Sequence, residues 1–296
     1  MDEYLTTVPK CYHSRLSSTQ MLISGLMALG LPLPPLAGVR QCCWGHGMDE
    51  SGRHLVAKGC GLSTAGGING AYTTVRHNRM VDIWVKLLEN AGLRGQREPP
   101  LMPGMPPDRR ADIQVNDFPS FGKVTLLDLT VRAVLKGDGD TVASYKKDVP
   151  GSVAAAAVKK KLKSYKDLRV AGLVVMAHEQ FGRMNVEADE LLRQLAHRET
   201  ALRLDLGAED PREANPSYPA VFGAVLAYSR KLLSVGLAKQ NAESVIRGYK
   251  GATLYAEPAA RLLEDLELAD VVDLVSVDRG ADAGAGVRAG GGDGAA

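Results

Sequence analysis

The chain has no long hydrophobic run, since no apolar stretch reaches the roughly 18 to 20 residues that span a bilayer. Its first residues, MDEYLTTVPK, begin with acids and have no basic segment leading into an apolar stretch, so no secretory signal is predicted. Cysteine is scarce, with four in 296 residues, and the formal net charge is only +2. We therefore expect an intracellular protein without a membrane partner. The net charge alone says little about nucleic-acid binding, which depends on where basic residues cluster.

Apolar and charged residues make up 45% and 24% of the chain, the balance of a globular protein with a sizeable core. Apolar spacing predicts helices over residues 15–30 and 73–91, with Ser17 or Ser18 capping the first. Further helices are predicted in the Ala-rich stretch from residue 151, over 186–204 and over 218–248. The runs ADIQV, KVTLLDLTVRAVL and VAGLVVMAH predict strands, the last two buried on both faces. This order predicts an α/β fold.

The same patterns divide the chain into four segments. Residues 1–70 are predicted to be helical with a Cys/His loop, residues 71–205 to form the α/β core, and residues 206–278 to be a C-terminal helical segment. Residues 279–296 are almost entirely Gly, Ala and Asp and should form a disordered tail. The Pro-rich residues 96–110 are predicted to contain no regular structure.

Two carboxylates point to metal chemistry. Asp112 starts the first predicted strand and Asp128 lies in the middle of the second. An ionised carboxylate within a buried strand is costly unless it is paired or bound to a metal. A turn near residues 116–122 would make the two strands antiparallel neighbours and bring both side chains to one place. Such a pair predicts a site for Mg²⁺ or Mn²⁺. The alternative is that Asp112 and Asp128 are ordinary aspartates at a strand end or in a turn, without a role in metal binding.

A lysine would complete such a site by orienting a water or stabilising charge on a phosphate. The helix GSVAAAAVKKKLKSYKDL supplies the densest positive charge in the chain, and Lys161 and then Lys159 are the preferred candidates. A KKKLK run is at least as often part of a solvent-exposed helix face with no role in a site.

Several short motifs, in one order, resemble the restriction-like endonuclease domain, of the PD-(D/E)xK type, encoded downstream of reverse transcriptase in site-specific non-LTR retrotransposons. The motifs are Glu98-Pro99, Arg110-Ala111-Asp112, Asp128-Leu129-Thr130-Val131, Lys161 and Lys163-Ser164-Tyr165, with the flanking runs GLMALGLPLPPL, RHNRMVDIW and SVGLAKQNA. The similarity covers about residues 4–248. Ala111 replaces the family's usual proline, and Thr130 stands where many such nucleases carry the lysine. Nothing in the chain resembles a reverse transcriptase.

The resemblance implies a restriction-endonuclease-like core, a mixed sheet flanked by helices, preceded by a helical segment that zinc staples. It also implies Mg²⁺-dependent hydrolysis of a DNA phosphodiester, with Asp112 and Asp128 as metal ligands, Glu98 assisting and Lys161 serving the water or the transition state. The biological role would be nicking of a target strand in the nucleus. A reverse transcriptase and element RNA, supplied in trans, would then prime on the nick.

The zinc expectation falls on QCCWGHGMDESGRHLVAKGC, where Asp49-x-x-Gly52-x-His54 matches the family's pattern. Zinc requires four N or S ligands. The candidates are Cys42, Cys43, His46, His54 and Cys60. The family's last cysteine lies where this chain has Lys58, so the alternative of free thiols in an open loop stays open.

Other residues are candidates for nucleic-acid contacts: Arg76, His77, Lys159, Lys163 and Tyr165. The basic groups would neutralise phosphates and make binding salt-dependent, or would lie on solvated helix faces. Tyr165 would either stack on a base or pack against the protein. Two rival functions follow. One is a non-catalytic nucleic-acid-binding protein, and the other is an inactive remnant of a decayed element.

Overall fold

The structure is a computed structural model that describes residues 15–41, 47–56, 68–99, 110–120, 122–132, 151–165, 172–206 and 215–253. We number the elements within these ranges. The helices are α1 (Ser18–Leu29), α2 (Arg53–Val56), α3 (Ile68–Asn90), α4 (Ser152–Ser164), α5 (Val186–Arg203) and α6 (Tyr218–Thr253), with a 3₁₀ turn at Pro34–Leu36. The strands are β1 (Gly95–Arg97), β2 (Ile113–Asn116), β3 (Val124–Arg132) and β4 (Leu173–Glu179).

Helix α1 forms where the apolar spacing predicts it, and its ends follow local chemistry. The Ser17 hydroxyl accepts a hydrogen bond from the Gln20 backbone N–H at 3.1 Å. In return, the Gln20 side-chain carbonyl accepts from the Ser17 backbone N–H at 3.0 Å. This reciprocal pair is a capping box, which satisfies donors that the first turn leaves open. Gly30 ends the helix with φ +68°, a conformation that glycine adopts without steric cost.

The strands form one mixed sheet in the order β1-β2-β3-β4. Strands β1, β2 and β3 are antiparallel neighbours, with Ile113 opposite Leu127 between β2 and β3. Strands β3 and β4 run parallel, with Asp128 beside Val175. Parallel neighbours need a crossover, and α4 lies between these two strands in the chain. The predicted strands and their α/β order are therefore confirmed.

Strand β1 corrects one expectation. We predicted that residues 96–110 contain no regular structure, but Gly95–Arg97 forms a three-residue edge strand paired with β2. An ion pair between Arg97 and Asp82 of α3 also anchors it. So short a strand has no sequence periodicity of its own, and it forms because β2 lies beside it.

Helices cover both faces of the sheet. On one face, Leu127, Leu129 and Met176 pack in a large apolar cluster with residues of α3, α5 and α6. On the other face, Ala154 and Ala157 of α4 pack against Ala177 of β4. Small alanines allow α4 to approach the sheet closely. The fold is thus mixed α/β, with a four-stranded mixed sheet between helices.

Helix α6 contributes Val225, Leu226, Leu233 and Leu237 to the same apolar cluster as the sheet, although the sequence placed it in a separate segment. It is also the one described helix with the length and composition to cross a membrane, because an 18-residue window within Tyr218–Gly248 has a mean hydropathy of 1.3. Since 44% of that window is buried inside the protein, the helix also has the character of a core helix. The predicted tail, 279–296, lies outside the described residues.

Candidate active site

The strand register brings Asp112 and Asp128 together. The Asp112 N–H donates to the Leu127 carbonyl at 2.9 Å, one residue beyond the last β2–β3 pair, Ile113 opposite Leu127, and Asp112 Oδ2 accepts from the Leu129 N–H. Bonds to the residues on both sides of Asp128 therefore hold Asp112 next to it. The turn between β2 and β3 therefore produces the neighbouring carboxylates that the sequence suggested.

Asp128 is the buried member of the pair, with only 1% of its surface exposed. Its Oδ1 accepts a hydrogen bond from the Lys161 ammonium at 2.9 Å. Its Oδ2 is buried and accepts no hydrogen bond of normal geometry from the described part of the chain. Burial raises the pKa of the Asp128 carboxyl, and the charge and hydrogen bond of Lys161 oppose that rise. The charge of Asp112 raises the pKa further, whereas the nearby Tyr165 hydroxyl lowers it.

Asp112 is held from two sides. Its Oδ1 lies 2.9 Å from His77 Nε2 of α3, and its Oδ2 accepts from the Leu129 backbone N–H of β3 at 2.5 Å. The Asp112 side chain remains 20% exposed, so the pair of carboxylates lies at the boundary between core and solvent. Burial makes ionisation of Asp128 costly, whereas the Asp112 carboxylate is partly accessible to water.

Helix α4 presents Lys161 to this site, and both of its ends are anchored. At the first turn, the buried Glu179 carboxylate accepts from the Ala154 N–H at 3.3 Å, a position where negative charge also suits the helix dipole. At the last turn, the buried Tyr165 hydroxyl lies 3.5 Å from the Arg110 carbonyl. Lys159 and Lys163 are exposed on the same helix. The geometry thus singles out Lys161 among the basic residues of α4.

Glu98 reaches the site through its backbone. Its N–H donates to the Asp112 carbonyl at 2.9 Å, with φ +42°, and the residue itself is exposed. Thr130, which stands where nucleases of the resembled family often carry lysine, is buried in β3. The ammonium that contacts Asp128 therefore comes from Lys161 of α4 and not from β3.

Arg76 was predicted to contact phosphate, but the structure gives it an internal role. Its guanidinium donates to the Val56 carbonyl at 3.2 Å and to Asn241 Oδ1 of α6 at 3.1 Å. Burial lowers the pKa of Arg76 to about 10. A direct phosphate contact is inconsistent with 5% exposure. The same reasoning applies to Tyr165, which is 6% exposed and therefore unsuited to stacking on a base.

Two titratable residues, His178 and Glu179, end the apolar strand β4, and the sequence offers no partner for either. Trp84 of α3 donates its indole N–H to His178 Nε2 at 3.0 Å, and Glu179 caps α4. The sequence feature that could have indicated these contacts is the pair of titratable residues at the end of an apolar run, since buried polar groups need hydrogen-bond partners. Only the packing of α3 and α4 identifies them.

The zinc expectation stays a prediction. Cys42, Cys43, His46 and Cys60 lie outside the described residues, as does the side chain of His54. Within the described ranges, no three His, Cys, Asp or Glu side chains are grouped so as to hold a metal ion.

No protein-family model matches the chain, and no curated protein matches it either.

Proposed function

We propose that this chain is a metal-dependent DNA endonuclease with a restriction-endonuclease-like core, derived from a non-LTR retrotransposon. One observation carries the proposal. A buried strand carboxylate, Asp128, lies close to a second carboxylate, Asp112, and contacts a lysine from a different element, Lys161, at 2.9 Å. Three charged groups seldom converge at the edge of a core without a function, because their desolvation is costly.

The two carboxylates suit a hard divalent cation such as Mg²⁺ or Mn²⁺. Mg²⁺ typically uses one or two protein carboxylates and keeps waters or substrate phosphate as its other ligands. Asp128 Oδ2 is buried without a normal hydrogen bond, and the charge of Asp112 adds to the cost of ionising Asp128. A bound cation would remove both penalties. When bound, it would polarise a phosphate oxygen and lower the pKa of a bound water.

The protein groups supply position and charge. Lys161 is 30% exposed at its side chain, so its ammonium can stabilise negative charge on a phosphate while Asp128 orients it. Glu98, which is exposed and joined to Asp112 by a backbone hydrogen bond, would assist. Lys159 and Lys163, exposed on the same helix, would neutralise neighbouring backbone phosphates.

The biological role that follows is target-strand nicking in the nucleus. A reverse transcriptase and its element RNA, supplied in trans, would use the free 3′ end. The rival is a nucleic-acid-binding protein, or an inactive remnant, in which the same groups form a structural ion-pair network. The bonds already made by three of the four carboxylate oxygens favour that rival.

The test is nicking of supercoiled plasmid by the full chain with Mg²⁺ or Mn²⁺. Asp128→Asn removes the charge with little change in shape and should abolish nicking. Lys161→Met should slow it by about 10²- to 10³-fold, the usual effect of losing one charge-stabilising donor. Lys160→Met, an exposed lysine next in the chain, is the matched control and should nick normally.

DNA binding by the same proteins separates the rival functions. If folded wild-type protein binds DNA but never nicks it, with either metal, the chain is a binding protein. If it neither nicks nor binds, it is a remnant. Nicking that survives Asp128→Asn would refute the proposed site while leaving a nuclease elsewhere in the chain.

A further inference from the structure

The carboxylate of Asp112 is fixed by a residue from outside the sheet. His77 of α3 places its Nε2 at 2.9 Å from Asp112 Oδ1, while the Leu129 N–H holds Oδ2. Because these donors come from a helix and a strand, they define both the position and the rotation of the carboxylate. Each carboxylate oxygen has two lone pairs, so each retains acceptor capacity for a further ligand.

Helix α3 is itself held rigidly at this point. The preceding residue, Arg76, is buried and binds the Val56 carbonyl and Asn241 of α6. Further along the helix, Trp84, Leu87 and Leu88 lie in the main core with 1% or less of their surface exposed. A side chain carried on a helix anchored in this way has little freedom to drift, which is what a precise site needs.

We infer that His77 is a positioning residue for Asp112, and that the Arg76–His77 pair connects α3 to the carboxylate site and not to DNA. The inference rests on the proposed function, since it assigns His77 the task of orienting a metal ligand. Hydrogen-bond partners behind a ligand typically contribute 10- to 100-fold to metal affinity. His77 donates its Nε2–H to Asp112 Oδ1 and so fixes the position of that oxygen near Asp128.

A purely structural role would give a different result from a positioning role. The bond between His77 and Asp112 is partly exposed, with 29% and 20% of the side chains accessible, so its loss should cost little stability. Its loss should instead weaken metal binding, because only the Leu129 N–H would then hold Asp112 and the position of Oδ1 would no longer be fixed. Glutamine carries an amide N–H near the position of Nε2 and can restore the bond, whereas alanine cannot.

The experiment is a titration of the full chain with Mn²⁺ alone, following free Mn²⁺ by electron paramagnetic resonance. The proteins are the wild type, Asp112→Asn, Asp128→Asn, His77→Ala and His77→Gln, with Lys86→Ala as an exposed control on the same helix. Thermal unfolding of each variant is measured in parallel. We expect His77→Ala to weaken Mn²⁺ binding by 10- to 100-fold, His77→Gln to recover most of it, and Lys86→Ala to change nothing.

The outcomes separate the two proposals. If the wild type binds no Mn²⁺, or binds it as well after Asp112→Asn and Asp128→Asn, the proposed metal site is wrong and the role of His77 falls with it. If the wild type binds through both aspartates but His77→Ala binds equally well, only the positioning role is wrong. Failure of His77→Gln, while folded, to exceed His77→Ala would also overturn it, since the donor would then be irrelevant.

Discussion

Mild acid should destabilise this protein through one buried histidine. His178 of β4 has none of its surface exposed, and its Nε2 accepts the indole N–H of Trp84 at 3.0 Å. Its Nδ1 is buried without a partner in the described part of the chain. Burial lowers the pKa of His178 from 6.5 to about 3. The folded protein therefore keeps this imidazole neutral at pH values where the unfolded chain protonates it.

The sign and size of the effect follow from proton linkage. Between pH 6.5 and 3 the unfolded state binds more protons at this residue, so the free energy of unfolding falls as the pH is lowered. Each pH unit below 6.5 is worth about 1.4 kcal/mol. Acidification to pH 5 should therefore cost about 2 kcal/mol, a substantial part of the roughly 5 to 15 kcal/mol that stabilises a domain.

Urea unfolding at pH 7.5, 6.5, 5.5 and 5.0 measures this, with His178→Gln as the matched variant. The glutamine carbonyl can accept the Trp84 N–H, and the side chain does not titrate. His178→Gln is expected to be less stable than the wild type at pH 7.5 and to lose less stability on acidification. The difference between the two slopes isolates His178, because the other titrating groups are common to both proteins. Equal slopes would show that His178 is not buried and neutral.

Three further substitutions test the hydrogen bonds and packing that hold the helices around the sheet. Glu179→Gln removes the charge that caps α4 and should cost about 0.5 to 2 kcal/mol in urea unfolding; an unchanged midpoint would contradict that role. Asn185→Ala strips the Ala177 N–H and Val175 carbonyl of their partners, and calorimetry should show a loss of about 2 to 4 kcal/mol. Gly236→Ala would push a methyl group into Ile83 Cδ1. It should destabilise the wild type but stabilise an Ile83→Val background by up to about 1 kcal/mol, the gain in helix propensity, and destabilisation in both backgrounds would count against this packing.

Much of the secondary structure was predictable because its causes are local. The capping box at Ser17 and Gln20, the glycine at Gly30 and the apolar run around Asp128 each lie within a few consecutive residues. The predicted helices correspond to α1 and α3–α6, and the predicted strands to β2–β4. Strand β1 was missed because its three residues have no pattern apart from their partner.

The sequence alone also identified Asp128 as anomalous, because a carboxylate inside an apolar strand has a desolvation cost that does not depend on the rest of the fold. Which groups offset that cost was decided by tertiary structure. The antiparallel pairing of β2 and β3 placed Asp112 close to Asp128, and the crossover between β3 and β4 turned Lys161 toward Asp128 while Lys159 stayed in solvent. Arg76 and His77 are adjacent in the chain, yet one is buried against α6 and the other faces Asp112. Neighbours on a helix point about 100° apart, so only the packing of whole elements determines what each of them contacts.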